Sequence, residues 1–245
     1  MSNSETSVLT AVVDKLQLWR PLDDADRRAL LALPVRLIAL RPQEYIVREG
    51  DRPQHSCVML SGFSFRHKVA GNGGRQIFSI HMKGDLADLQ NSLLGTADHN
   101  LQALSHVEAG LIPVDAIQEI AFTRPAIGRA MWYETLVEGS IFREWTLNVG
   151  RRDARARTAH LLCELALRLE VAGLGARCDY VLPMTQEQLA DALALTSVHT
   201  NRTLMGLAED GLLTRQQRSL QIVDWPGLMA AGDFDPAYLH LNGAE

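Results

Sequence analysis

MTQEQLADALALTSVHTNRTLMGLAEDGLLTRQQRSLQIV, residues Met184–Val223, is the stretch that decides how the chain is read. Thr185 with Gln188 three residues on is a capping-box pattern, and Leu189, Ala192 and Leu193 then put apolar groups on one face of a short helix. The tight link Ala194-Leu195-Thr196 predicts a second helix from Ser197 to Gly211, a residue suited to a helix C-terminus. Leu204, Leu207 and Ala208 face the first helix, which leaves Ser197, Val198, His199, Asn201 and Arg202 outside, toward the helix N-terminus. Leu212-Leu213-Thr214 and Leu220-Gln221-Ile222-Val223, parted by the polar run Arg215 to Ser219, predict two short strands and a loop. Helix, tight turn, helix and hairpin make a winged helix-turn-helix, in which the N-terminal residues of the second helix meet base edges in the major groove. The expected DNA-binding residues are therefore Thr196, Ser197, Val198, His199, Asn201 and Arg202, with Arg215 and Arg218 of the wing on phosphates. The bland alternative is a two-helix packing unit with a hairpin and no nucleic acid.

Working outward, 245 residues with 47% hydrophobic content favour two domains over one. A net charge of −5 excludes DNA binding through bulk positive charge, so positive charge has to be local. The densest basic cluster, Arg151, Arg152, Arg155 and Arg157, lies just ahead of the helix-turn-helix, where a charged run is ordinarily a solvated helix face. Three widely spaced cysteines, Cys57, Cys163 and Cys178, do not suggest a disulfide framework and fit a reducing cytoplasm. No uncharged apolar stretch is long enough to cross a bilayer, and Met1–Thr10 lacks the pattern of a secretion signal, so no membrane partner is expected.

Val8 to Leu18 and Asp23 to Leu33 carry helical spacing. From Val35 to Pro113 the pattern changes to brief apolar runs: Val35 to Leu40, Tyr45 to Val47, Cys57 to Leu60, Phe63 to His67, Gln76 to His81, Leu101 to Leu104 and Val107 to Ile112. The breaks between them, among them Glu49-Gly50-Asp51, Gly71-Asn72-Gly73-Gly74 and Lys83-Gly84-Asp85, carry turn chemistry. Short strands at this spacing predict a jelly roll. Pro125 to Gly150 is helical for roughly 40 Å at 1.5 Å per residue. Ile127, Met131, Ile141, Trp145 and Val149 form one apolar stripe on it, interrupted by Glu134 and Glu138, while Trp132, Leu136 and Leu147 lie opposite. Two apolar sides imply two neighbours, the β domain and the same helix of a second subunit, with a buried core helix in a monomer as the bland alternative. The first stripe, from Ile127 to Trp145, is taken as the dimer interface. A second helix, Asp153 to Leu169, leads into the helix-turn-helix.

This order of parts resembles the Crp/Fnr family of bacterial transcription regulators over nearly the whole chain. Arg48-Glu49-Gly50-Asp51, Leu60-Ser61-Gly62, Gly84-Asp85, Leu182 to Ala190 and Asn201-Arg202-Thr203-Leu204 carry the resemblance, most closely to members with His-x-Asn-Arg in the recognition helix, here His199-Thr200-Asn201-Arg202. The fold it implies is α+β: a cyclic-nucleotide-binding-like β-roll (jelly roll) with short N-terminal helices over 1–124, a long dimerisation helix over 125–150, and a winged helix-turn-helix domain over 151–245. The function it implies is that of a sequence-specific transcription regulator and not an enzyme, homodimeric on an inverted repeat, with double-stranded DNA and RNA polymerase as partners. Arg202 matches the family arginine that reads guanine. Val198 stands where the best-known members carry an acid, and a valine meets a thymine methyl rather than a cytosine amino group, so the half-site should differ.

The resemblance places the effector pocket at Asp85, His99 and Asn100. Cyclic-AMP binders hold the phosphate with Arg-Ser or Arg-Thr where this chain aligns His99-Asn100, which speaks against cyclic AMP. No cysteine precedes Cys57, which speaks against an iron-sulfur cluster. Haem stays open, with His67, His81 and His99 in or near the roll, and so does redox sensing on the same scaffold. A jelly-roll metalloenzyme is the other alternative, although no His-x-His occurs and no metal site is expected.

Overall fold

The computed structural model of the chain describes residues 8–241, so the ends of the first and last expected domains and most of the polar N-terminal stretch lie outside the described residues. Two helices come first, α1 (Thr10–Trp19) and α2 (Asp24–Leu31), the latter started by the Asp23 side chain accepting from the Asp26 amide. Seven strands follow: β1 (Arg36–Leu40), β2 (Tyr45–Val47), β3 (His55–Ser61), β4 (Ser64–Val69), β5 (Arg75–His81), β6 (Asn100–Ala103) and β7 (Val107–Pro113). They form two sheets of order β1-β7-β3 and β2-β6-β4-β5, the expected β-roll. Val47, Cys57, Met59, Leu101, Ala103 and Val107 are among the side chains of its core. A short α3 (Asn91–Leu94) interrupts the strands and α4 (Val114–Thr123) ends them.

Helix α5 runs Pro125–Gly150, with proline in the first turn, where its missing N–H costs nothing. The joint Arg151-Arg152-Asp153 connects it to α6 (Ala154–Val171), whose first turn is capped by the Asp153 carboxylate. β8 (Asp179–Val181), α7 (Gln186–Leu193), α8 (Ser197–Glu209), β9 (Leu213–Gln216) and β10 (Ser219–Ile222) complete the winged helix-turn-helix, with sheet order β8-β10-β9. After it come α9 (Trp225–Ala231) and a 3-10 turn, Pro236–Leu239. No helix among the described residues is long and apolar enough to cross a membrane.

The chain divides into two compact units. One runs through His67, resumes over Ser79–Gly139 and takes in His240; the other gathers Lys68–Phe78 with Ser140–Leu239, so that α5 contributes to both. In the first, α1, α2, α4 and the start of α5 share an apolar core that includes Leu9, Val12, Leu16, Ile117, Ile127 and Met131.

The dimer-interface assignment needs correction. Ile127, Met131, Ile141 and Trp145 are buried within the chain itself, the most exposed at 8%, and are not free to meet a second subunit. The exposed apolar face of α5 is the opposite one, with Trp132 at 68%, Leu136 at 55% and Leu147 at 40%. The two glutamates that interrupt the buried stripe, Glu134 and Glu138, have their partners within the same chain. Both are spent inside the first unit: Glu134 takes the Trp19 indole N–H at 2.7 Å and the Lys15 ammonium at 2.7 Å, and Glu138 takes the Arg66 guanidinium at 2.6 Å.

Candidate nucleic-acid interface

Helix α8 is held from both ends of α7. The capping box closes in both directions: Thr185 Oγ1 accepts from the Gln188 amide at 3.2 Å, and Gln188 Oε1 accepts from the Thr185 amide at 2.8 Å. At the other end Ala194 takes the left-handed conformation with φ 52°, which a residue with a Cβ adopts at some cost, and this single residue turns the chain into α8. Arg157 of α6 donates to Leu193 O at 2.8 Å, and Gln186 Nε2 bridges to Ser197 O, the first carbonyl of α8, at 2.8 Å.

Within α8, Leu204 and Leu207 are buried, and Thr200 is buried with its hydroxyl donating back to Thr196 O at 3.0 Å. Thr196 is the cap, its Oγ1 accepting from the His199 amide at 3.2 Å, which leaves the hydroxyl proton for an outside acceptor. Ser197 and His199 are half-buried; Val198, at 81% exposure, and Asn201 and Arg202 point outward. Arg202 has no ion-pair partner among the described residues. Met205, 54% exposed, continues this face one turn on. It was missed as a candidate, although its spacing from Val198 and Arg202 is the signal that identifies it. The helix N-terminus beside these residues carries the positive end of the dipole, and Glu209 and Asp210 lie at the far end.

The wing differs from its expected form. Its turn is only Gln217-Arg218, with Gln217 at φ 54°, because β9 extends through Gln216. Arg215 therefore sits inside a strand, its Nε donating to Gln217 O at 2.8 Å, while Arg218 is exposed at the tip. The basic cluster ahead of the motif is largely consumed in holding the unit together. Arg152 pairs with Glu144 and Asp233, Arg155 pairs with Asp210 at 2.7 Å, and Arg157 bonds Leu193 O.

Two of the proposed effector residues, Asp85 and His99, are linked through buried polar groups, Asp85 by way of His81, Glu138 and Arg66 and His99 by way of Gln90. Asp85 binds the Lys15 ammonium at 2.5 Å and accepts from the Met82 amide at 3.0 Å. Burial disfavours the Lys15 cation, but Asp85 and Glu134 together hold its pKa above the usual lysine range. His99 is buried against Asp98 at 2.7 Å, with Gln90 at 3.4 Å, and Asn100 accepts from the Glu49 amide at 3.2 Å. The middle of the roll is filled by Arg66, 2% exposed, which donates to Ala87 O, Gln90 and Glu138. His81 lies 3.1 Å from the Ser79 hydroxyl, and His67 lies against the Phe65 and Tyr45 rings. Beneath α1 an apolar cavity of about 10 Å³, lined by Leu9, Val12, Leu86 and Met131 among others, is far below the size of a ligand pocket. Among the described residues no three His, Cys, Asp or Glu side chains converge as metal ligands. Cys57 and Cys163 are buried free thiols, the latter pushed up to about 12 by burial, and neither is poised as a thiolate.

Comparison with known proteins matches these two parts separately. The family model described as a cyclic nucleotide-binding domain matches residues 37–124, and that of the Crp-like helix-turn-helix domain matches residues 156–231. The chain is 25% identical over 193 residues to the transcriptional activator protein FnrL of Cereibacter sphaeroides, covering 77% of each chain. To the transcriptional activator protein FnrA of Stutzerimonas stutzeri it is 24% identical over 209 residues, covering 85% of each. Among solved structures it resembles FixK2 from Bradyrhizobium japonicum with a TM-score of 0.74 at 23% identity, over 81% of this chain and 98% of that one.

Proposed function

We propose that the chain is a member of the Crp/Fnr family, a sequence-specific DNA-binding transcription regulator that reads an inverted repeat as a homodimer, a reading supported by its two family-model matches and its similarity to Fnr-type activators. The observation that carries the proposal is the outer face of α8, where Val198, Asn201 and Arg202 stand exposed at the positive end of a helix whose placement is fixed by a capping box, a threonine cap and the Gln186 bridge. Arg202 is the guanine reader, bidentate to O6 and N7; Val198 meets a thymine methyl; Asn201, His199 and Ser197 contact base edge or backbone. Thr196 and the wing arginines bond phosphates, Arg218 more directly than Arg215, whose guanidinium is already engaged.

The second subunit sits on the Trp132, Leu136 and Leu147 face of α5, since large apolar side chains left exposed at helical spacing mark an association surface. RNA polymerase is the further partner such a role implies, and the cytoplasm is where a reader of bacterial DNA works. Cyclic AMP is not the effector of this reading, because Asp85 is already paired with Lys15 and no arginine stands at His99-Asn100. The test is selection of bound sequences from a random double-stranded library with purified protein and no added ligand. Enrichment of an inverted repeat with half-sites about one helical turn apart is expected. No enrichment from folded protein would overturn apo DNA binding.

A further inference from the structure

We propose that the segment from Gly232 to Leu239, which lies beyond the residues matched by the helix-turn-helix model, clamps the joint between α5 and α6 and thereby sets the half-site spacing the protein accepts. Tyr238, Gly232, His160 and Glu164 are its positioning residues. The inference rests on the dimeric DNA-binding reading above.

The joint itself is three residues long, and apolar packing alone lets two helices slide through a range of angles. Directional bonds to a buried charge do not. Glu164 of α6 is fully buried, and its carboxylate gathers donors from three elements: the Trp145 indole N–H of α5 at 3.0 Å, Arg168 of α6 at 3.1 Å and the Tyr238 hydroxyl of the tail at 2.8 Å. A buried carboxylate deprived of a donor is strongly disfavoured, so these three elements hold one mutual arrangement.

A second tie runs through His160, also fully buried. Its Nδ1 lies 3.2 Å from Gly232 O and its Nε2 3.1 Å from the Tyr238 hydroxyl, and the neutral ring, with the Tyr238 proton given to Glu164, donates at one of these two, while the Tyr238 ring stacks on the imidazole at 5.7 Å and Phe234 meets it edge-on at 5.0 Å. The third tie is Arg152, in the joint, which holds Glu144 and Asn148 of α5 at 2.9 Å each and the Asp233 carboxylate of the tail at 3.1 Å. Gly232 makes the approach possible. A Cβ there would stand 2.7 Å from the backbone nitrogen of His160, closer than side chains tolerate.

The geometry has leverage. Helix α8 packs on α6, so it moves with α6 when the joint bends. Eighteen residues of α6 span about 27 Å, and a tilt of about 10° displaces the far end by about 5 Å. One base-pair step is about 3.4 Å. A joint loose by that amount would no longer distinguish neighbouring spacings.

The deciding experiment measures binding to inverted repeats of one selected half-site with the spacer varied one base pair at a time, for wild type, Tyr238→Phe and Gly232→Ala. Wild type is expected to prefer one spacer at least about tenfold over its neighbours. Both variants are expected to keep the half-site base preferences and to lose threefold or more of that spacer discrimination. Folded variants with unchanged spacer discrimination overturn the clamp, as does an equal loss of affinity on every spacer, which is what mere destabilisation produces. Should Gly232→Ala not fold, Tyr238→Phe, which removes a single hydroxyl, decides alone. Wild type that enriches no DNA at all overturns the regulator reading itself, a different result from a spacing-blind wild type, which overturns only the clamp.

Discussion

Arg66 and Arg202 belong to the same chain and have opposite fates. Arg66 is 2% exposed and its guanidinium is consumed by Ala87 O, Gln90 and Glu138; Arg202 stands exposed on α8 with no ion-pair partner among the described residues. The first unit turns its charges inward, Lys15 with Asp85 and Glu134, Arg66 with Glu138, and uses them as scaffold. The reading helix turns its polar groups outward on a backbone whose own hydrogen bonds are already satisfied. A side chain's role thus follows from whether its own fold has used its bonding capacity, more than from its type.

Breaking the inward half of this comparison should have the largest effect. Arg66→Ala strands Glu138 in a poorly solvated place and is expected to lower stability by about 3–5 kcal/mol, with most of it recovered when Glu138→Leu is added to Arg66→Met. Urea unfolding measures both, and a loss under about 1 kcal/mol would show that the pair is not structural. Next comes the face of α5 that the chain leaves uncovered. Trp132→Glu should weaken self-association by about 2 kcal/mol or more while leaving the monomer folded, read by sedimentation across a concentration series. A dimer of unchanged strength would place the interface elsewhere.

On the outward half, Arg202→Ala should relax preference at one base pair per half-site by about 1–3 kcal/mol and leave unfolding unchanged within about 0.5 kcal/mol. Unaltered base preference would remove it from base readout. Arg218→Ala should instead weaken all sequences alike and reduce the salt slope by about one; a change in base preference would contradict the phosphate role.

The smallest effect sets the two units against each other in acid, at most about 1.4 kcal/mol per pH unit for each group. Burial raises the Asp88 carboxyl to about 6, so between there and its ordinary value of 3.8 the folded first unit holds more protons than the unfolded chain and gains stability as pH falls. Glu138, raised by the same cause, adds in the same sense. Burial lowers His160 from 6.5, so the second unit loses stability as pH falls below that value. Hydrogen exchange resolved by segment should give slopes of opposite sign at about pH 7 and 5.5, with the first flattened by Asp88→Asn. Parallel slopes would refute the assignment.

Much of this was legible in the chain. The strand runs from Val35 to Ile112 match β1 to β7 within two residues, because brief apolar runs are bounded by turn residues that mark where each strand stops. Pro125–Gly150 and the Thr185 capping box were legible for similarly local reasons. What escaped was decided by tertiary context. Ala194 supplies a left-handed turn that glycine would normally announce, α3 is too short to show a period, and the burial side of α5 depended on Lys15, Trp19 and Arg66, remote in sequence. The effector residues Asp85, His99 and Asn100 were placed by resemblance, and pairwise alignment carries no information on whether Lys15 already occupies the acid.

The packed centre of the roll has a consequence best put as a population. Any ligand entering there competes with the Arg66 bonds to Ala87 O, Gln90 and Glu138, so it binds only the fraction of molecules in which that cage has opened. With an opened form at about one part in a thousand, a ligand of about micromolar intrinsic affinity would act as a millimolar one.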